Sequence, residues 1–127
     1  MDDNDLQAEL ERIAEADARY KIEAYVFVIN ALEYTLRKLG RQGHVSGREL
    51  LEGLKDLAKE RFGPTAKMVL EHWGLVKTDD VGEIVFNLVE AKVLGKTDED
   101  SKDDFRDVYD FGDVFERGFD WKVRGPR

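Results

Sequence analysis

The chain has no cysteine, two histidines and two prolines in 127 residues. Without cysteine there is no disulfide, no thiol nucleophile and no cysteine-ligated zinc site, and this usage fits a reducing compartment. His44 and His72 are the only imidazoles, and neither belongs to an HExxH or ExxH pair. No Gly-x-Ser-x-Gly elbow is present. Proline stands only at positions 64 and 126, so helical periodicity runs almost unbroken. No apolar run approaches the roughly 18 residues of a membrane span. The opening "MDDNDLQAEL" is acidic where a secretory leader is basic and then apolar. The expectation is a cytoplasmic, soluble protein that does not enter the membrane.

Positive charge is also in deficit. The net charge is −8, which argues against a phosphate backbone as the main partner. The deficit is uneven: residues 37–67 carry eight bases against four acids, while residues 97–121 carry ten acids against three bases. An acidic chain thus contains one basic island. The length suits one domain with a core of its own. No repeat, low-complexity tract or linker divides it.

The periodicity predicts five or six helices. The first covers about residues 4–17, with Leu6, Leu10, Ile13 and Ala14 as its stripe. The second covers about residues 21–39 and is apolar on more than one side, because Phe27 and Val28 flank Ile22, Tyr25, Val26 and Ile29. It is therefore expected at the centre, ended by Gly40. Ser46 followed by Glu49 is a capping box, and Val45 with Leu50 is a hydrophobic staple, so a third helix starts there and runs to Gly63. In "RFGPTAKMVLEHWG" the punctuation is again helical. Gly63 turns the chain and Pro64 suits a first helical position. Ala66, Val69, Leu70 and Trp73 share a face, and Gly74 supplies a left-handed stop. A fifth helix is expected from Thr78 to about Leu94–Gly95. A sixth, capped by Thr97 with Asp100, buries Phe105, Val108 and Tyr109, and a last turn involves Phe111, Phe115 and Phe119. Residues 1–4 and 122–127 are expected to fray.

Candidate chemistry is thin. "GKT" at 95–97 lacks the glycine that a phosphate loop needs five positions earlier, where Glu90 stands, and a helix rather than a strand precedes it. The acidic run from Asp98 fails the EF-hand pattern, with Lys102 at its fifth position and Asp103 at its sixth. Ser46 already has a capping role. No catalytic residue, cofactor or metal ligand is assigned.

Two surfaces carry partner readings. Arg37, Lys38, Arg41, Arg48, Lys55 and Arg61 make the basic island a candidate for an anionic partner, including weak nonspecific nucleic-acid contact. Sequence-specific DNA binding is disfavoured, because "PTAKMVLEHW" offers few side chains for base edges. Six of the thirteen aromatics fall within residues 105–121. Docking of that segment on the core is one reading. The other is a contact surface for a protein partner or a second copy, with Tyr109, Phe111, Phe115 and Trp121 as its residues.

The blocks "EAYVFVINALEYT", "HVSGRELLEGLKDLAKERFGPTAKMVLEHWG", "TDDVGEIVFNLVE" and "KTDEDSKDDFRDVYDF" resemble, in that order, a small uncharacterised family of bacterial proteins known mainly from planctomycetes and verrucomicrobia. The resemblance spans most of residues 19–115 and implies a bacterial, cytosolic origin. It implies no activity, cofactor or site residue. The expectation is thus a single all-α domain over residues 1–127, acting as a non-catalytic protein-interaction module, self-association included. The alternative is an anionic-partner binder using residues 37–67.

Overall fold

A computed structural model describes residues 3–95 and 101–116 of the chain. Five α-helices follow one another: α1 (Asp3–Ala16), α2 (Ile22–Leu39), α3 (Gly47–Phe62), α4 (Ala66–His72) and α5 (Thr78–Glu90). A 3-10 turn at Gly63–Thr65 leads into α4, another at Lys102–Phe105 follows α5, and a π-helical turn occupies Gly112–Glu116. No strand occurs among the described residues. The all-α expectation holds, with five helices around one core.

Helix α2 lies at the centre. It packs against α1, α3 and α5, and it buries Ala24, Tyr25, Phe27, Val28, Ala31 and Thr35, which together cover more than one of its sides. Gly40 ends it in the left-handed conformation at φ 64°, and the Arg41 amide donates back to the Leu36 carbonyl at 3.0 Å. Where α3 meets α2 the helices come very close. A Cβ built on Gly53 would lie 1.7 Å from Thr35 Oγ1. The Thr35 hydroxyl instead donates to Ala31 O at 2.7 Å along its own helix, so it needs no partner across the contact.

The start of α3 is as expected. Ser46 Oγ accepts from the Glu49 amide at 3.1 Å, and Glu49 Oε1 accepts from the Ser46 amide at 2.8 Å. Val45 and Leu50 are both buried. Ser46→Ala removes one half of this exchange and is expected to cost about 1 kcal/mol in urea unfolding.

The α4 region is a strut. Thr65 Oγ1 donates to Phe62 O at 2.7 Å, so Pro64 enters a 3-10 turn before the α-helix proper begins. Ala66 and Leu70 are buried, and the Trp73 ring closes a triad with Phe27 at 5.8 Å and Phe62 at 5.7 Å between centroids. Gly74, at φ 100°, turns the chain so that the Leu75 amide reaches Leu70 O at 2.8 Å. The Lys21 amide then donates to Trp73 O at 3.0 Å, which pins the α1–α2 connection to the end of α4.

Helix α5 stops at Glu90, short of the expected Leu94–Gly95. Lys92 takes a left-handed φ of 65° and the Val93 amide donates to Leu88 O at 2.9 Å, a glycine-type stop built without glycine. The expected sixth helix is corrected. Its proposed cap at Thr97 lies outside the described residues. From Ser101 the chain makes one 3-10 turn and then leaves helical geometry, with Asp107 at φ 49°. The cause is at the start of α5. Thr78 Oγ1 donates to Phe105 O at 2.7 Å and accepts from the Val108 amide at 3.0 Å. Asp79 Oδ1 accepts from the Asp107 amide at 2.8 Å. These side chains take the backbone groups that a continuing helix would have paired internally. Phe105, 1% exposed, is thereby held between two glycines. A Cβ at Gly47 would lie 2.9 Å from its Cζ, and one at Gly82 would lie 2.8 Å from its Cβ.

Candidate functional site

Among the described C-terminal aromatics, Phe111 and Phe115 fill the core of their own chain. Phe111 is 3% exposed and Phe115 is 0% exposed. Their rings meet edge-on at 5.2 Å, in a turn that packs on α3 and α4. Tyr109 is half-buried, and its hydroxyl donates to Leu51 O at 2.7 Å. Burial pushes that hydroxyl well above the ordinary phenol range. Of the expected contact residues, Phe111 and Phe115 thus lie inside their own chain, while Tyr109 keeps part of its side chain exposed. Asp110 accepts from the Asp113 amide at 3.0 Å, which bends the chain inward and directs both phenylalanines at the core. Trp121 lies outside the described residues.

The basic island divides in two. Arg41 forms a bidentate pair with Glu49, at 2.8 and 3.1 Å. Lys38 reaches Asp56 at 2.7 Å and Lys55 reaches Glu52 at 2.8 Å. Arg37, Arg48 and Arg61 are exposed and have no carboxylate partner among the described residues. Arg37 and Arg61 line one groove together with Lys38, and Arg48 lines the neighbouring groove, which Lys38 shares.

The Glu49 carboxyl is lowered to about 2, chiefly by the Arg41 guanidinium and then by the Ser46 amide. Its folded value lies below the unfolded one. The stabilisation is therefore complete above the ordinary glutamate range and is lost as pH falls towards about 2. Carboxyl-detected NMR titration is expected to show this midpoint in the native chain and to show it rising in Arg41→Gln.

Among the described residues no three His, Asp or Glu side chains are placed to hold a metal ion. In the acidic segment, Asp104 accepts from the Ser101 amide at 3.0 Å and Asp103 pairs with Arg106 at 2.8 Å. His72 Nε2 lies 3.2 Å from Lys21 Nζ. The Asp17 carboxyl is held well below the usual carboxylate range, first by Arg19 and, against the opposing effect of burial, by Asn87. Its role is structural. It receives Arg19 Nε at 2.9 Å and Asn87 Nδ2 at 3.0 Å, and Asn87 also donates to the Tyr25 hydroxyl at 3.0 Å, so the group ties the α1–α2 connection to α5 and α2.

The feature that sequence reasoning missed is an apolar cleft of about 330 Å³ between α2, the α2–α3 loop and α5. Leu32, Val45, Leu50, Val85, Phe86 and Val89 form its walls, with Phe105 behind, and no Asp, Glu, Lys or Arg lines it. Leu32, Val85, Phe86 and Val89 are only half-buried. A signal was present in "VGEIVFNLVE", where apolar residues spread wider than the stripe that one packing face requires. No described helix is long and apolar enough to cross a membrane. No protein-family model matches the chain, and neither does any curated protein or solved structure.

Proposed function

We propose that this chain is a non-catalytic, cytoplasmic interaction module that receives an apolar side chain of a protein partner in the cleft between α2, the α2–α3 loop and α5. The observation that supports this reading is the cleft of about 330 Å³ whose half-buried apolar walls carry no Asp, Glu, Lys or Arg, with His44 of the α2–α3 loop at its edge. Its size is at the low end for a bound ligand and suits a single anchoring group. Buried apolar anchors of this kind carry most of the binding energy at protein interfaces. Ser46 Oγ, one of the few polar atoms nearby, is engaged in capping α3.

The test compares the native chain with Val89→Arg, which sets a charge on the cleft wall at a half-buried position. Partner capture by the immobilised chain, and sedimentation at rising concentration for self-association, are read beside circular dichroism melts. The expected result is a bound species, protein or second copy, that Val89→Arg loses while its melt stays native. Equal capture and equal sedimentation by both chains overturns the reading.

A further inference from the structure

We propose that the groove between Arg37 and Arg61 is a docking surface for an acidic segment of a protein partner; this surface is separate from the cleft and does not depend on it. Seven arginines lie among the described residues. Arg12, Arg19, Arg41 and Arg106 each hold a carboxylate. The three that hold none all lie on α3 and the last turns of α2, in a chain whose acids outnumber its bases by 28 to 20. Local pairing was open to two of them: Arg48 has Glu52 one turn on, which pairs with Lys55 instead. Glu33 stands one helical turn before Arg37, yet no ion pair joins them. Arg37 and Arg61 come from different helices and face one groove of about 430 Å³. Lys38 Nζ lies in the same groove, 5.6 Å above the Tyr34 ring. Glu60 is the groove's one carboxylate, and it accepts from the Tyr34 hydroxyl at 3.4 Å.

The occupant follows from charge and geometry. Guanidinium groups match carboxylates in a planar, two-pronged fit. Each exposed ion pair is weak by itself, so a lone small anion gains little here. A chain bearing several carboxylates gains from the linkage between them. A nucleic acid brings about one charge per 1.7 Å of duplex, which would set surplus phosphates against Glu33, Asp56 and Glu60 beside the groove and against the net charge of −8. Two carboxylates match Arg37 and Arg61, since Lys38 is already held by Asp56 at 2.7 Å.

The experiment measures fluorescence anisotropy of a labelled oligoglutamate peptide with the full chain, at low salt and at rising salt. Oligothymidylate and oligolysine serve as parallel probes. Oligoglutamate is expected to bind, to weaken as salt rises, and to lose about tenfold or more in affinity with Arg37→Glu/Arg61→Glu. Both sites are exposed, so that variant is expected to melt as the native chain does. It is also expected to acquire oligolysine binding. Absence of oligoglutamate binding at low salt, or equal binding by the variant, overturns the proposal. Oligothymidylate bound as tightly through the same two arginines overturns the assignment to a protein segment. None of these results touches the cleft, whose reading stands or falls with Val89→Arg.

Discussion

Phe105→Ala is expected to lower the stability of the chain by about 3–5 kcal/mol, the range for removing a buried aromatic ring. That is a large part of the roughly 5–15 kcal/mol that separates folded from unfolded domains. The ring is 1% exposed and lies where the start of α3, the first turns of α5 and the chain after Ser101 meet. Its backbone is tied separately, through Thr78 Oγ1 to Phe105 O, so the segment cannot easily slide in to fill the void. The two flanking glycines make the argument specific. A Cβ at Gly47 meets the ring at Cζ and Cε2, with Asp104 Cβ next at 3.2 Å, whereas a Cβ at Gly82 meets Phe105 Cβ, which alanine retains, as well as the ring at Cγ and Cδ2. Gly47→Ala and Gly82→Ala are each expected to destabilise the native chain by about 1–3 kcal/mol through overpacking. In the Phe105→Ala background the cost of Gly47→Ala should fall most of the way, and that of Gly82→Ala should fall less, because Phe105 Cβ stays in place. Urea unfolding of the two double-mutant cycles measures both couplings. Equal couplings at the two glycines would mean that the ring is not wedged as described.

The same residue shows where sequence reading reaches its limit. Ser101 with Asp104 is a true local cap, and Phe105, Val108 and Tyr109 do turn inward. Whether a helix follows depends on Thr78 and Asp79, more than twenty residues earlier, and a side chain that captures a distant amide leaves no trace in local periodicity. Stops that carried glycine were legible, as at Gly40 and Gly74. The stop at Lys92 was not, because nothing in a lysine announces a positive φ. Ser46 and Glu49 were legible because both halves of their exchange lie within four residues. The site was less so. Phe111 and Phe115 are four apart and share a face, but spacing does not say whether that face meets solvent or α3 and α4. The basic island was visible as composition. Which cations in it are spent depends on the α2–α3 register, which sets Lys38 against Asp56 and Arg41 against Glu49 while leaving Arg37 and Arg61 open. The apolar cleft is built from residues that each read as core, and only their arrangement leaves a hollow.

Gly74→Ala is expected to be similarly damaging, at about 3–5 kcal/mol, for two reasons that act together. At φ 100° any side chain strains the backbone, by about 1–3 kcal/mol. The new Cβ would also lie 2.2 Å from Arg19 O, a main-chain atom that cannot rotate aside. Overpacking adds about 1–3 kcal/mol where the neighbour is able to give way, and here it is held. Arg19 Nε and Nη2 are fastened to Asp17, and the next amide but one, that of Lys21, donates to Trp73 O at 3.0 Å. Retreat of Arg19 O therefore strains the contact that joins α4 to the α1–α2 connection. Gly40→Ala separates the two causes. Its φ is 64° and no atom lies within 4 Å of its would-be Cβ, so it carries only the left-handed penalty of about 1–2 kcal/mol. The excess of Gly74→Ala over Gly40→Ala in urea unfolding then reports the clash together with the extra backbone strain of φ 100° over φ 64°. Hydrogen exchange locates it: the Lys21 amide should lose protection in Gly74→Ala while the α5 amides keep theirs. Equal costs at the two glycines, with Lys21 still protected, would show that α4 does not brace the first connection, and the strut would have to be sought elsewhere in the core.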